Sequence, residues 1–151
     1  MNIGGPYLNA ALVCERVLQE RDGVTSLIRV IDRVTVTALS QGTVAGELPP
    51  SSLSFTVYVA LKSGVYKGSL PVKFEIKSPD DEKLGEFSTD VLFEGDDRGV
   101  NIVSPMQLQI QKDGLWWIDV FLMNDLITRI PLRVIVQRVS QGSLPWPPTS
   151  Q

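Results

Sequence analysis

The stretch "WWIDVFLMNDLITRIPLRVIV", residues 116–136, decides the fold. Trp116, Ile118, Val120 and Leu122 are apolar at every second position. After a polar break the same holds for Leu126, Ile130, Leu132, Val134 and Val136, with Thr128 as the exception. A period of two is the signature of a β-strand with one buried face, and two such runs around turn residues read as a hairpin. Both apolar sets are even-numbered. A two-residue loop at Asn124-Asp125 would pair even with odd positions and turn Arg129 and Arg133 into the core, so the loop must have odd length. A three-residue loop, Met123-Asn124-Asp125, sets Trp116 opposite Leu132, Ile118 opposite Ile130 and Leu122 opposite Leu126. The same register places Asp119 opposite Arg129 on the outward face, as an exposed ion pair worth at most about 1 kcal/mol.

The outward face also breaks the expected alternation. Trp117, Phe121, Met123 and Ile127 form an apolar stripe where polar residues are expected. One explanation is a cover, such as the proline-rich tail with Trp146, because monomers rarely expose large apolar patches. The other is an interface with a second copy or another protein, where Trp, Phe and Met are enriched.

Working outward, the same period recurs. In "LPVKFEIK" (residues 70–77) Leu70, Val72, Phe74 and Ile76 face one way and Lys73, Glu75 and Lys77 the other. "LSFTVYVAL" (53–61) and "FSTDVLF" (87–93) alternate likewise, as does "VNIVSPMQLQI" (100–110), where Pro105 points to a sheet border. The stretch from Leu8 to Thr37 is less regular. Asp22-Gly23 signals a two-residue hairpin turn that would pair Val17 with Ile28 and Leu18 with Leu27. A short helix over residues 10–18 is the alternative. Turn residues cluster at residues 40–52, 62–69, 78–85 and 94–99. The expectation is an all-β fold: an antiparallel β-sandwich of about eight strands, immunoglobulin-like or similar. It forms one domain over residues 1–138, followed by a proline-rich tail over 139–151 that cannot continue a ladder.

Composition narrows the chemistry. The 151 residues include no histidine, so a Ser-His-Asp triad, a Cys-His pair and a histidine-ligated metal are impossible. The net charge of −3, without a dense Lys/Arg cluster, argues against nucleic acid. No apolar run approaches the roughly 20 residues that span a bilayer. The single cysteine, Cys14, and the absence of a signal-like start point to the cytoplasm. Cys14 reads as a small core residue. Phosphate-binding glycine loops and the nucleophile elbow are absent. No spacing recommends a carboxylate pair acting on sugars, so an enzyme is not expected and no cofactor is implied. The acidic turns Asp80-Asp81-Glu82 and Glu94-Gly95-Asp96-Asp97 would supply oxygen ligands to Ca²⁺ only if they met at one end of the sandwich. Solvated turns are the simpler reading.

Four segments, "AALVCERV" (10–17), "LIRVIDRV" (27–34), "GLWWIDVFL" (114–122) and "TRIPLRVIV" (128–136), resemble a family of short uncharacterised bacterial proteins, a domain of unknown function. The resemblance implies a compact bacterial or phage-borne β domain and assigns no residue a role. The functional expectation is therefore a non-catalytic protein-interaction or structural module. Its partner would be itself, as a homo-oligomer, or another protein, and its docking surface Trp117, Phe121, Met123 and Ile127. The alternative is a sandwich that binds Ca²⁺ or a small polar ligand through its acidic loops.

Overall fold

The computed structural model describes residues 4–39 and 47–139. The proline-rich tail, including Trp146, lies outside them. Nine strands are present: β1 (Tyr7–Gln19), β2 (Thr25–Ile31), β3 (Arg33–Leu39), β4 (Glu47–Lys62), β5 (Lys67–Lys77), β6 (Lys83–Glu94), β7 (Gly99–Lys112), β8 (Gly114–Leu122) and β9 (Asp125–Val139). They build two sheets, ordered β2-β1-β4-β7 and β3-β9-β8-β5-β6. This is the expected all-β architecture of two sheets, with nine strands rather than about eight. All pairings are antiparallel except β3 with β9. Residues 10–18 are strand throughout, not helix.

The alternation patterns put the core between the sheets. Phe55, Val57, Val59 and Leu61 of β4 face Leu70, Val72 and Phe74 of β5, with Trp116, Ile118, Val120, Ile130, Leu132 and Val134 completing the layer. Phe74 stacks on Phe87 with ring centroids 4.6 Å apart. Offset or stacked aromatic pairs add about 0.5–1.5 kcal/mol to the area they bury. Pro105 lies on β7, an edge strand, where its missing N–H leaves no ladder partner unsatisfied.

Three local departures from the expected pattern have physical causes. The chain that follows the Asp22-Gly23 turn breaks at Asp32, and its second part crosses to the other sheet as β3 beside β9. The Asp32 carbonyl accepts from the Arg133 N–H at 3.3 Å, which pins the crossing point. The hairpin at Asp22-Gly23 pairs Val17 with Leu27 and Leu18 with Ser26, one residue off the two-residue-turn register. Glu20 and Val24 close a three-residue loop instead, with Gly23 at φ +85 in its third position. That geometry is a type I turn ending in a left-handed glycine. Finally, residues 47–52 belong to β4 rather than to a loop, with a register irregularity between Glu47 and Ser51. β1 stops pairing with β4 at Thr56, so this segment is bonded to β7 alone and Pro49 and Pro50 disrupt no second ladder.

The β1–β2 hairpin does not stay in the plane of its sheet. Asn101 Nδ2 on β7 donates to Thr25 Oγ1 on β2 at 3.4 Å, although β2 and β7 are opposite edges of the same sheet. Beyond Cys14 the hairpin therefore folds back across the outer face. Two features mark the fold line: the left-handed backbone of Arg29 at φ 55, and the Cys14 thiol directed at the Arg16 carbonyl at 3.6 Å. The folded hairpin accounts for the burial of Thr56, Tyr58 and Ala60, which point away from the core.

Candidate functional site

The β8–β9 hairpin carries the apolar stripe. Its turn has two residues, Met123 and Asn124, both left-handed with φ of 50 and 71. This is the backbone of a type I′ turn, which suits the right-handed twist of the flanking strands. The odd offset demanded by the alternation is still met, because a bulge shifts the register between Val120 and Phe121. Trp116 faces Leu132, Ile118 faces Ile130 and Asp119 faces Arg129 as expected. Past the bulge, Phe121 pairs with Leu126 and Leu122 with Asp125.

The bulge changes the membership of the stripe. Ile127, expected outside, is partly buried against the core, and Leu126, expected inside, is 51% exposed. Trp117 and Phe121 are half-buried on the outward face, and Met123 is 56% exposed at the turn. The Met123 N–H donates to the Pro71 carbonyl of β5 at 3.2 Å. Leu92, 60% exposed, lies diagonal to Pro71 on β6, where Pro71 pairs with Asp90. Three residues at the hairpin end thus form an apolar corner, Phe121, Met123 and Leu126, while Leu92 stands apart on β6 opposite Ser69.

Towards Trp117 the same face is charged. The Arg129 guanidinium lies over the Trp117 ring at 4.4 Å and the Lys73 ammonium over the Phe121 ring at 4.7 Å. Such contacts contribute about 0.5–1 kcal/mol at exposed sites. Between the two aromatics sit two carboxylates buried on the outer face, Asp119 and Glu75, cross-strand partners at 3% and 9% exposure. Asp119 accepts from Arg129 Nε at 2.7 Å and has Lys77 Nζ at 3.6 Å. Glu75 has Lys73 at 3.3 Å and Lys83 at 3.5 Å. Burial pushes the Glu75 carboxyl up, but the Lys73 hydrogen bond and the Lys83 charge outweigh it and hold it below the ordinary glutamate value. The expectation that the Asp119–Arg129 pair is fully exposed is therefore wrong, because cationic stems and aromatic rings roof the carboxylate. Alternation within the hairpin cannot reveal this, since Lys77 comes from β5 and Arg129 is held over Trp117.

The acidic turns do not meet. Asp80, Asp81 and Glu82 precede β6, while Glu94 ends it and Asp96 and Asp97 follow, so the length of a twelve-residue strand separates the two turns. Asp80 pairs with Lys112, and Glu94 with Arg98 at 3.0 Å. Among the described residues no group of three or more Asp, Glu or Cys side chains is placed to hold a metal ion. Cys14 is buried, and burial raises its thiol above the ordinary value, away from the nucleophilic thiolate. No helix among the described residues is long and apolar enough to cross a membrane.

No protein-family model matches the sequence, and no similar curated protein is found. Two solved structures are similar in fold. An immunoglobulin-like protein from Pseudomonas aeruginosa superposes with a TM-score of 0.42 at 16% identity, over 87% of this chain and 97% of that one. A DNA-bound alkylpurine DNA glycosylase from Pseudomonas fluorescens gives a TM-score of 0.46 at 7% identity, over 87% of this chain. This chain spans 30% of the glycosylase's length.

Proposed function

We propose that this chain is a non-catalytic protein-interaction module whose contact surface is the apolar corner of the five-stranded sheet, and that the first partner is a second copy of itself. One observation carries the reading. Met123 and Leu126, each more than half exposed, adjoin Phe121 on a sheet face whose neighbouring rows are ion pairs. Large apolar side chains grouped on such a face mark contact sites. Charges of both signs border the corner, Lys73 and Arg129 beside Glu75 and Asp119, which suits a surface that must complement itself about a two-fold axis. The lack of any histidine in the sequence supports the non-catalytic part. Cytoplasmic residence, supported by the lone buried Cys14, and kinship with the small bacterial proteins it resembles belong to the same proposal.

Phe121→Ser and Leu126→Ser, separately and together, test it. Sedimentation from micromolar to several hundred micromolar is expected to show concentration-dependent association of the unaltered chain. The double variant should lose that association while keeping its β circular dichroism. A chain that stays monomeric over the whole range overturns the reading, as does association that survives the double substitution.

A further inference from the structure

The two sheets do not close along the side bordered by β6 and β7. Among the described residues these consecutive strands are the edges of different sheets, each hydrogen-bonded on one side only. At one end the turn that joins them is clamped to the β4–β5 turn. Ser63 N donates to the Arg98 carbonyl at 3.0 Å, Asp97 N to the Gly64 carbonyl at 2.9 Å, and Ser63 Oγ to the Gly95 carbonyl at 2.9 Å. From that clamp the edges diverge. At the far end, between Leu84–Phe87 of β6 and Gln107–Lys112 of β7, lies a cleft of about 710 Å³. Its apolar lining includes Ile76, Phe87, Leu108 and Trp116, all belonging to the core or packed against it. The indole Nε1 of Trp116 donates to the Lys112 carbonyl at 3.2 Å and fixes the cleft's end wall.

We infer that this cleft receives an extended, basic segment of another polypeptide, which adds to the free edge of β6 as a sixth strand of its sheet. Three features define that occupant. An edge strand offers a row of unpaired main-chain N–H and C=O groups, which an extended chain satisfies. A strand laid beside β6 points alternate side chains into the gap between the sheets, where Ile76, Phe87, Leu108 and Trp116 offer apolar surface beside the glutamines of β7, and the others outward beside the outer row of β6. That outer row carries Glu86, Asp90 and Glu94 at four-residue spacing, alternating with Leu84, Ser88 and Leu92, and Glu82 stands just before the strand. Lys83 pairs with Glu86 and Arg98 with Glu94, while Asp90 has no cationic partner among the described residues. A second copy adding its own β6 antiparallel about Glu86, Ser88 or Asp90 would set carboxylate against carboxylate, which is destabilising. A segment alternating apolar residues with Lys or Arg matches both rows.

Gly85 supplies the test. It lines the cleft, and a Cβ built on it meets nothing within 4 Å, so Gly85→Phe sets a ring at the groove from an unobstructed Cβ. The probe is a capped decapeptide of alternating valine and lysine. The controls are the alternating valine and glutamate peptide and a peptide with five valines followed by five lysines. Amide chemical shifts of the full chain are followed during titration. Saturable shifts confined to residues 83–90 and 107–112 are expected, with binding about tenfold weaker for either control and abolished in Gly85→Phe. Asp90→Lys should weaken the lysine peptide severalfold and leave the folded spectrum intact. The inference is overturned by shifts that do not saturate, by shifts that map elsewhere, or by binding unchanged in Gly85→Phe. It is also overturned if Gly85→Phe abolishes self-association, since the occupant is then a second copy. The apolar corner of Phe121, Met123 and Leu126 lies at the β8–β9 turn, away from Leu84–Phe87 of β6, so the sedimentation experiment and this titration can fail independently.

Discussion

Asp119 is buried on the outward side of β8, and Arg129 of β9 donates to it through Nε at 2.7 Å while stacking on Trp117. One guanidinium thus satisfies a carboxylate and roofs an indole, joining two rows of the sheet face. Arg129→Ala removes both contacts and leaves Lys77, at 3.6 Å, as the remaining cation near Asp119. A buried charged acceptor that loses its donor costs about 1–3 kcal/mol, and urea unfolding is expected to show a loss in that range. Asp119→Asn combined with Arg129→Met should recover part of it, because the uncompensated charge is gone. Strict additivity of the two single losses would show that the pair does not interact.

The Glu75 carboxyl is held below its ordinary value by Lys73 and Lys83 against the opposing effect of burial. A group whose folded value is depressed gives stability that is fully present above its unfolded value, about 4.3 for glutamate. That stability is lost as pH falls through the folded value. The melting temperature of the unaltered chain should therefore exceed that of Glu75→Gln at pH 6, with the gap narrowing steadily below pH 4. A gap that widens on acidification would reverse the assignment. Lys83, whose value is raised first of all by its hydrogen bond to Glu86, acts at the other extreme. Its contribution is complete at neutral pH and fades as pH rises above the ordinary lysine range.

Leu132 is 1% exposed at the centre of the layer that Trp116 and Ile130 share. Truncation to Ala removes apolar contact and leaves a cavity, at a cost of about 2–5 kcal/mol, against a total stability of roughly 5–15 kcal/mol for such a domain. A denaturation midpoint close to the unaltered one would mean that this layer is not the core.

The residues of β8 and β9 made most of the architecture readable in advance, for a definite reason. Arg129 and Arg133 cannot point inward, so parity fixed the register of Trp116 with Leu132 and of Ile118 with Ile130. How the odd offset arises was not readable. A bulge moves one residue without altering composition, and with Leu126 and Ile127 both apolar, alternation cannot say which of them turns inward. The Asp22-Gly23 hairpin failed similarly, since Asp-Gly fits a two-residue turn and equally a three-residue loop ending in glycine. The burial of Asp119, the crossing of β3 and the β6–β7 cleft depend on which strands become neighbours across long stretches of chain. No local pattern encodes that. Of the expected contact residues, Phe121 and Met123 keep their place at the apolar corner, Trp117 lies beneath Arg129, and Ile127 has turned inward.

Met123 links stability to the proposed contact surface. It occupies the first position of the turn at φ 50, a conformation that disfavours a side chain with an unbranched stem as much as any other and that Asn tolerates through local hydrogen bonding. Nothing in the fold requires methionine there: its side chain is more than half exposed, and its N–H bond to the Pro71 carbonyl belongs to the backbone. Met123→Asn should therefore relieve about 1 kcal/mol of backbone strain and raise the melting temperature by about 2–4 °C for a domain of this size, measured at micromolar concentration. The same substitution removes an apolar side chain from the corner, so self-association at several hundred micromolar should weaken as stability rises. The two effects oppose each other only if Met123 is retained for contact. A variant with a lower melting temperature, or with both stability and association unchanged, would show that the turn is neither strained nor part of the surface.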